Sequence, residues 1–417
     1  MQFTMQQDEV LVLRPDLVID GTGTLPRRDT IVAVDGSRIL FVGSEGELDL
    51  PPSKKPNYID LSGKTILPGL VDDHVHLALG ISGGYEVMMK DSDGIHLLTG
   101  VRNAEQALRA GITTMKDCGA RNRVAFDMRD GRNRGLFQGP RILVSGRPLC
   151  ITGGHFHFCN DNECNGPSEV RKRTSQMLKE GVDFVKLMAS GGGTKGTDSR
   201  RPSFEEEEIR AAVEEAEKVG KTVSAHCEAY ESVGRAARAG VHVIQHAGFI
   251  MPDGSRGFDE DAVRTMVRKG LYYDPTLQTG SSLLDSLREK EKGGESLTKE
   301  EKAQLESAEY KIKRKSENFM RMAKMGVKIV AGSDGIGLGN STRLVRTLEL
   351  MVDAGMSPLE AIVSATGRVA EAIKMNHIFG VLAEGREADM IAVNGDPTKN
   401  ISVLRSPSMV MQAGRVI

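Results

Sequence analysis

The 417-residue chain has no uninterrupted apolar run of the roughly 18–20 residues a membrane-spanning helix needs, so no membrane partner is expected. Its first residues, Met-Gln-Phe-Thr-Met-Gln-Gln-Asp-Glu, lack a basic stretch followed by an apolar core. A secretory signal is therefore not expected, and the cytoplasm is the expected compartment. An excess of one charge is missing too. The 55 Lys and Arg face 57 Asp and Glu, a net of −2, which excludes the electrostatic footprint of a nucleic-acid or anionic-membrane binder. Cysteine is scarce: five residues, without zinc-finger or disulfide-framework spacing. The closest pair, Cys159 and Cys164, is expected to be reduced thiols. No Gly-x-Gly-x-x-Gly follows the first strand, which argues against an open doubly wound sheet.

What is present is ordinary for a globular chain, 39% apolar and 27% charged, long enough for one large domain and a small one. The 47 glycines suit many tight strand-to-helix turns. Residues 1–64 read as short strands, Val10-Leu-Val-Leu-Arg, Thr30-Ile-Val-Ala-Val and Arg38-Ile-Leu-Phe-Val-Gly among them. Residues 376–417 repeat that texture in Ala388-Asp-Met-Ile-Ala-Val and Ser408-Met-Val-Met-Gln. Both ends are expected to share one small β-sandwich domain. Between them, over 65–375, eight β-like runs alternate with Ala-, Glu-, Lys- and Arg-rich helical patterns such as 103–110, 169–180, 204–219 and 229–239. The expected fold class is therefore α/β, a (β/α)8 TIM barrel. The charged stretch 283–315 is expected to be a solvated helical hairpin, with a cover over the barrel mouth or a subunit contact as the functional alternatives.

In such barrels chemistry sits at the C-terminal strand ends. Strand one ends in Asp-Asp-His74-Val-His76, whose alternate side chains share one face of a strand, so two imidazoles can converge on one metal. Strand four carries Lys186 within Asp-Phe-Val-Lys-Leu-Met, strand five ends in His226, strand six in His246 and strand eight in Asp334. A charged lysine in an apolar strand is costly unless paired or neutralised. Carboxylation by carbon dioxide would turn it into a metal-bridging carboxylate; a salt bridge is the plainer solution. Asp334 is placed to bind a metal and accept a proton.

The ordered set His74, His76, Lys186, His226, His246 and Asp334 resembles the amidohydrolase superfamily, in its imidazolonepropionase-like branch, and within that the prolidases and dipeptidases with a carboxylated lysine. The resemblance covers essentially the whole chain. It implies two divalent ions, zinc by expectation: His74 and His76 on the more buried one, His226 and His246 on the more exposed one, carboxylated Lys186 bridging them. Asp334 would contact the buried metal, act as general base toward a bridging hydroxide, then as acid toward the leaving nitrogen. In this branch a Gly-Gly-His after strand three places an imidazole at the scissile carbonyl, and His155 in Ile-Thr-Gly-Gly-His-Phe-His matches it. Tyr230, one helical turn past His226, is the candidate for the substrate carboxylate. Glu228 keeps open the single-metal deaminase plan, in which a Glu follows the fifth-strand histidine.

Lys195, Arg200 and Arg201 lie in a Gly-rich loop and are expected to be solvated, with closure on an anion as the alternative. His157, His96, His242 and His377 are expected to be structural. The implied activity is hydrolysis of dipeptides or N-acyl amino acids with a free carboxylate, X-proline dipeptides foremost, by a homo-oligomer with no nucleic-acid partner. Deamination or cyclic-amide opening on a heterocycle is the alternative, and a non-catalytic scaffold a third.

Overall fold

The computed structural model describes residues 8–80, 89–159, 161–336 and 343–417. The chain begins with β1 (Glu9–Val18), β2 (Ile31–Asp35), β3 (Arg38–Gly43) and the long β4 (Lys55–Pro68). Alternation in β1 sorts its side chains onto two faces. Leu11 and Leu13 join a core with Val32, Val34 and Ile39, while Val10 and Val12 pack with Ile31 and Ala33 on the other side.

The chain then enters the barrel through β5 (Leu70–His76), β6 (Ile112–Asp117), β7 (Arg141–Val144), β8 (Val185–Met188), β9 (Val223–His226), β10 (Val243–Gln245), β11 (Tyr272–Asp274) and β12 (Lys328–Ile329). Paired neighbours run parallel, in the orders β5-β6-β7 and β8-β9-β10-β11-β12. The two arcs join on both sides. Leu149 N–H donates to Lys186 O at 2.9 Å, and Asp73 N–H donates to Ala331 O at 3.1 Å. A short continuation, β13 (Gly335–Ile336), pairs with β5 and completes the circle. The eighth strand is thus broken, and Asp334 sits in the break with a positive φ of 50°.

After the barrel come β14 (Met390–Asn394), β15 (Met409–Gln412) and β16 (Arg415–Val416). They extend the first sheet in the order β16-β15-β14-β4-β1-β2-β3, so both chain ends build the β-rich domain that the sequence predicts.

The helical patterns hold, with boundaries moved by their caps. The helix predicted over 103–110 runs Asp93–Arg109, because the Ser92 side chain accepts from Ile95 N–H and starts it earlier. Tyr230–Ala239 stops at Gly240, whose φ of 87° suits glycine. The charged stretch forms helices Ser281–Lys292 and Lys299–Lys324, the second opened by a Thr298/Glu301 capping box. Lys290–Glu301 at 2.7 Å and Arg288–Glu309 at 3.0 Å clip the two together. Among the described residues no helix is long and apolar enough to cross a membrane.

A buried ion pair lies inside the barrel. Lys116 Nζ is 2.9 Å from Asp73 Oδ1 and donates to Ser224 Oγ at 2.8 Å, with no solvent exposure on either partner of the pair. Asp73 Oδ2 has no hydrogen-bond partner among the described residues. Removing the cation alone would strand a carboxylate in the core, which typically costs about 3–5 kcal/mol. Lys116→Ala is expected to lower stability by that order in urea unfolding. An unchanged midpoint would show that the pair contributes nothing.

Candidate active site

Parallel strands deliver their last side chains to one end of the barrel. There His74, His76, His155, Lys186, His226, His246 and Asp334 line a single cavity of 600 Å³. Consecutive ring centroids along His76–His74–His246–His226–His155 lie 5.3, 5.2, 4.5 and 4.5 Å apart. Asp334 Oδ1 is 3.4 Å from His74 Nε2 and 3.6 Å from His76 Nε2. His246, Thr276 and Asp334 all have positive φ, 66°, 42° and 50°. Strained backbone of this kind collects at functional sites.

Burial is the main electrostatic fact. It holds the His76 and His226 pKa values down to about 3, and His74, His155 and His246 well below the usual imidazole range. All five rings are therefore neutral, the form that binds metals. Their outer nitrogens fix which inner one faces the site. His76 Nδ1 is 3.1 Å from Gly119 O, so Nε2 keeps its lone pair. His226 Nε2 is 3.1 Å from Gly191 O, so here Nδ1 keeps it. His246 Nδ1 pairs with Thr276 Oγ1 at 2.7 Å.

His74 Nδ1 faces Asp274 Oδ2 at 3.6 Å, and both atoms are buried without a hydrogen-bond partner among the described residues. A carboxylate behind a metal-binding ring orients it when the two hydrogen-bond, and Asp274 stands in that place although no bond is made at 3.6 Å. Gly332 makes room for it. A Cβ there would lie 2.2 Å from Asp274 Oδ2 and 2.7 Å from the Cβ of His74.

Lys186 is fully buried. Its amine donates to the Gln245 side-chain oxygen and lies 3.4 Å from His74 Nε2. No described carboxylate stands within ion-pair distance, so the plain salt bridge is not what the structure shows. Burial, the main influence on this amine, pushes its pKa down. Asp334 moves the other way: burial raises it to about 6, against the lowering pull of Lys186 and Lys315.

The donor set fits a divalent ion. Ligand atoms of His74, His76 and Asp334 all lie within 4.8 Å of one another, each imidazole is neutral, and Gly119 O orients the His76 ring.

His155 belongs to the same cavity. Its Nδ1 is 2.7 Å from Thr194 Oγ1 and accepts from Thr194 N–H at 3.3 Å. Thr194 Oγ1 already accepts from Phe156 N–H at 3.1 Å, so its own proton goes to the ring. The ring therefore carries its hydrogen on Nε2, the donor it can offer to a substrate. Thr194→Val removes the hydroxyl and is expected to cut kcat about tenfold with little change in KM, and Thr194→Ser to restore it. A loss of KM alone would end this orienting role.

Tyr230 lies apart from these residues. It is absent from the cavity lining; its ring packs against Phe249, centroids 6.1 Å apart, and against the backbone at Gly257. Tyr230 opens a helix of the outer layer rather than ending a strand, so its side chain turns to that layer. Glu228 and Arg200 do line the cavity, Arg200 paired with Asp198 at 2.8 Å, whereas Arg201 is exposed. His96 bonds Ala78 O, His242 accepts from Val223 N–H on the barrel's outside, and His377 is exposed. The five cysteines are free thiols, all buried.

The sequence missed Asp274 and Gln245, although both end strands as the chosen residues do. It also missed Arg256, Tyr310 and Lys311 on the cavity wall, which no strand-end rule could find.

A closed parallel barrel with its polar cluster at the strand ends, beside a β-rich domain, defines a barrel enzyme. The chain belongs to the amidohydrolase family, whose profile matches residues 65–417. It is similar to an ochratoxinase of Aspergillus niger, 28% identical over 445 aligned residues spanning 96% of this chain and 85% of that protein. Its fold is similar to that of an Xaa-Pro dipeptidase with methionine bound in the active site, TM-score 0.83 at 28% identity, covering 98% of this chain and 99% of the other. A prolidase complexed with N-methylphosphonate-L-proline is similar at TM-score 0.81 and 28% identity, with the same coverage of 98% and 99%. An imidazolonepropionase of Pseudomonas entomophila is 22% identical over 400 residues, 87% of each chain. Membership makes this chain a hydrolytic enzyme of a family that generally binds divalent metals.

Proposed function

We propose that the protein is a binuclear metal-dependent amidohydrolase that cleaves the amide bond of dipeptides or N-acyl amino acids with a free C-terminal carboxylate, X-proline dipeptides foremost. The observation that carries it is Lys186: a buried amine without a carboxylate partner among the described residues, set among four neutral imidazoles. Such an amine is a nucleophile for carbon dioxide, and the carbamate formed, with loss of the amine proton, would bridge two ions. His74 and His76 would hold one, His226 and His246 the other, with Asp334 on the first. Two bound divalent ions, zinc by expectation, would acidify a water and polarise the amide carbonyl.

The protein's own groups do the rest. Asp334, beside His74 and His76, takes a proton at its carboxylate and returns it to the leaving nitrogen. His155 donates from Nε2 to the carbonyl oxygen as charge grows there. His155→Asn is expected to lower turnover by roughly 10²–10³-fold, the usual cost of one such donor.

Arg200, Arg256 and Lys311 on the wall supply positive charge for a carboxylate. Resemblance to the prolidase, the dipeptidase and the ochratoxinase supports the same class. The partner is thus a small-molecule or dipeptide substrate, and a homo-oligomer is expected by light scattering. Deamination or ring opening would instead need one metal and unmodified Lys186, with Glu228 free to act. Here Glu228 faces Arg256 at 3.6 Å.

The test is steady-state kinetics of zinc-loaded protein on Gly-Pro and its C-terminal amide, with metal counted per chain. Two metals and a strong preference for the free acid are expected. Equal rates on acid and amide, or one metal with unmodified Lys186, would overturn the proposal.

A further inference from the structure

The longer hairpin helix, Lys299–Lys324, buries one stripe: Lys315, Asn318, Phe319 and Met322, spaced for a single helical face. Phe319 and Met322 are the apolar residues such a stripe calls for, and Asn318 donates to Gly257 O at 2.8 Å. A lysine at the head of the stripe is costly to bury. Lys311 and Lys313 on the same helix stay exposed.

What the amine meets accounts for its burial. Lys315 Nζ donates to Thr276 O at 2.7 Å and to Thr276 Oγ1 at 3.4 Å. That same Oγ1 stands 2.7 Å from His246 Nδ1. Among the described residues no carboxylate lies within ion-pair distance of Lys315, so its hydrogen bonds go to this one threonine.

Thr276 needs such a hold. It is a β-branched residue with a φ of 42°, a conformation that persists only where the surroundings impose it. Its N–H donates to Asp274 Oδ1 at 3.0 Å, and its carbonyl accepts from Thr279 N–H at 2.9 Å and from Lys315. Asp274 and Thr279 lie within three residues of it; of these contacts, Lys315 alone comes from another element.

We infer that Lys315 is a positioning residue for the metal centre: it holds Thr276 against His246, so that His246 keeps its hydrogen on Nδ1 and turns Nε2 to the cavity. The hairpin is then part of the centre rather than a cover laid over it. This rests on the metal-binding role of His246 proposed above and deepens it.

Charge and position act in opposite directions here, and that separates them. Burial pushes the Lys315 pKa down to about 8, so the amine is still charged at neutral pH. A buried cation repels divalent ions nearby, so its removal would tighten metal binding if charge were its whole effect. Loss of an orienting partner instead loosens the metal, by roughly 10–100-fold.

The test is chelator competition on zinc-loaded parent, Lys315→Met, Lys315→Gln and Lys313→Met proteins. Lys315→Met is expected to give up its weaker-held zinc at least about tenfold more readily. Lys315→Gln, which loses the charge but keeps an N–H donor, is expected to hold zinc more tightly than Lys315→Met. Lys313→Met, which removes the same charge from an exposed position on the same helix, is expected to match the parent. Zinc held equally or more tightly by Lys315→Met overturns the role. A second readout needs no metal. In metal-free protein with ¹⁵N-labelled histidine, the His246 imidazole is identified by its loss in His246→Gln. It is expected as the Nδ1–H tautomer in the parent and as a mixture in Lys315→Met, with thermal melts showing each variant folded. An unchanged tautomer overturns the role as well. A parent that holds fewer than two zinc ions counts against the proposed function, while the tautomer still decides the role of Lys315.

Discussion

Lys186→Ala protein is expected to lose at least one metal per chain and nearly all activity. The loss should reach about 10³-fold or more, because metal assistance supplies several kcal/mol of transition-state stabilisation and each 1.4 kcal/mol is tenfold. Three features set the size of the effect. The amine is fully buried, its pKa is pushed down chiefly by burial, and its contacts are Gln245 and His74 rather than a carboxylate. The cut side chain leaves a gap of carboxylate-lysine shape, so short-chain carboxylic acids added to the mutant should restore part of the metal and part of the rate. Metal content by mass spectrometry and turnover with and without propionate measure both. A fully metallated, active Lys186→Ala protein without added acid would remove the bridging role.

Asp334→Asn carries the second large effect. Its carboxylate lies within 3.4–3.6 Å of His74 and His76, and burial raises it to about 6. A carboxylate so placed can take a proton from water and give it back to the leaving group. Asparagine keeps the shape and tolerates the positive φ of 50° at this position. The backbone bond from residue 334 N–H to His74 O at 2.6 Å also survives the change. The fold should therefore persist, read as an unchanged circular-dichroism melt, while kcat falls by roughly 10²–10⁴-fold. Turnover within a few-fold of the parent would take Asp334 out of proton transfer.

These two residues also mark what could be read directly. Lys186 stood out because a lysine in an apolar strand demands an explanation, and Asp334 because it followed the last strand-like run. Strand four was shorter than its sequence run, and strand eight was broken, yet neither change moved the residue out of the cavity. The rim of a parallel barrel forgives such errors, since every strand ends on the same side.

Tyr230 shows where that logic stops. Four residues past His226 the chain already belongs to an outer helix, and a helical side chain points where its own packing sends it, here onto Phe249. The charged stretch shows the opposite case. Its helices were legible from composition, but only the folded position of Lys299–Lys324 brings Tyr310 and Lys311 to the cavity.

The sequence by itself determined the alternation of strands and helices, the sharing of one small β-domain by both chain ends, and most of the polar residues that the strands bring to the cavity. Those follow from local periodicity and from one topological rule, so they need no coordinates. Only the tertiary structure decided the ring nitrogens that face inward, the Asp274 carboxylate behind His74 and, among the described residues, the lysine's lack of an acidic partner. Each depends on which atoms from distant segments meet. His74 and Asp274 are 200 positions apart, and His155 and Thr194 meet across two different loops. Periodicity carries no information about distances of that kind; packing of the closed barrel sets them.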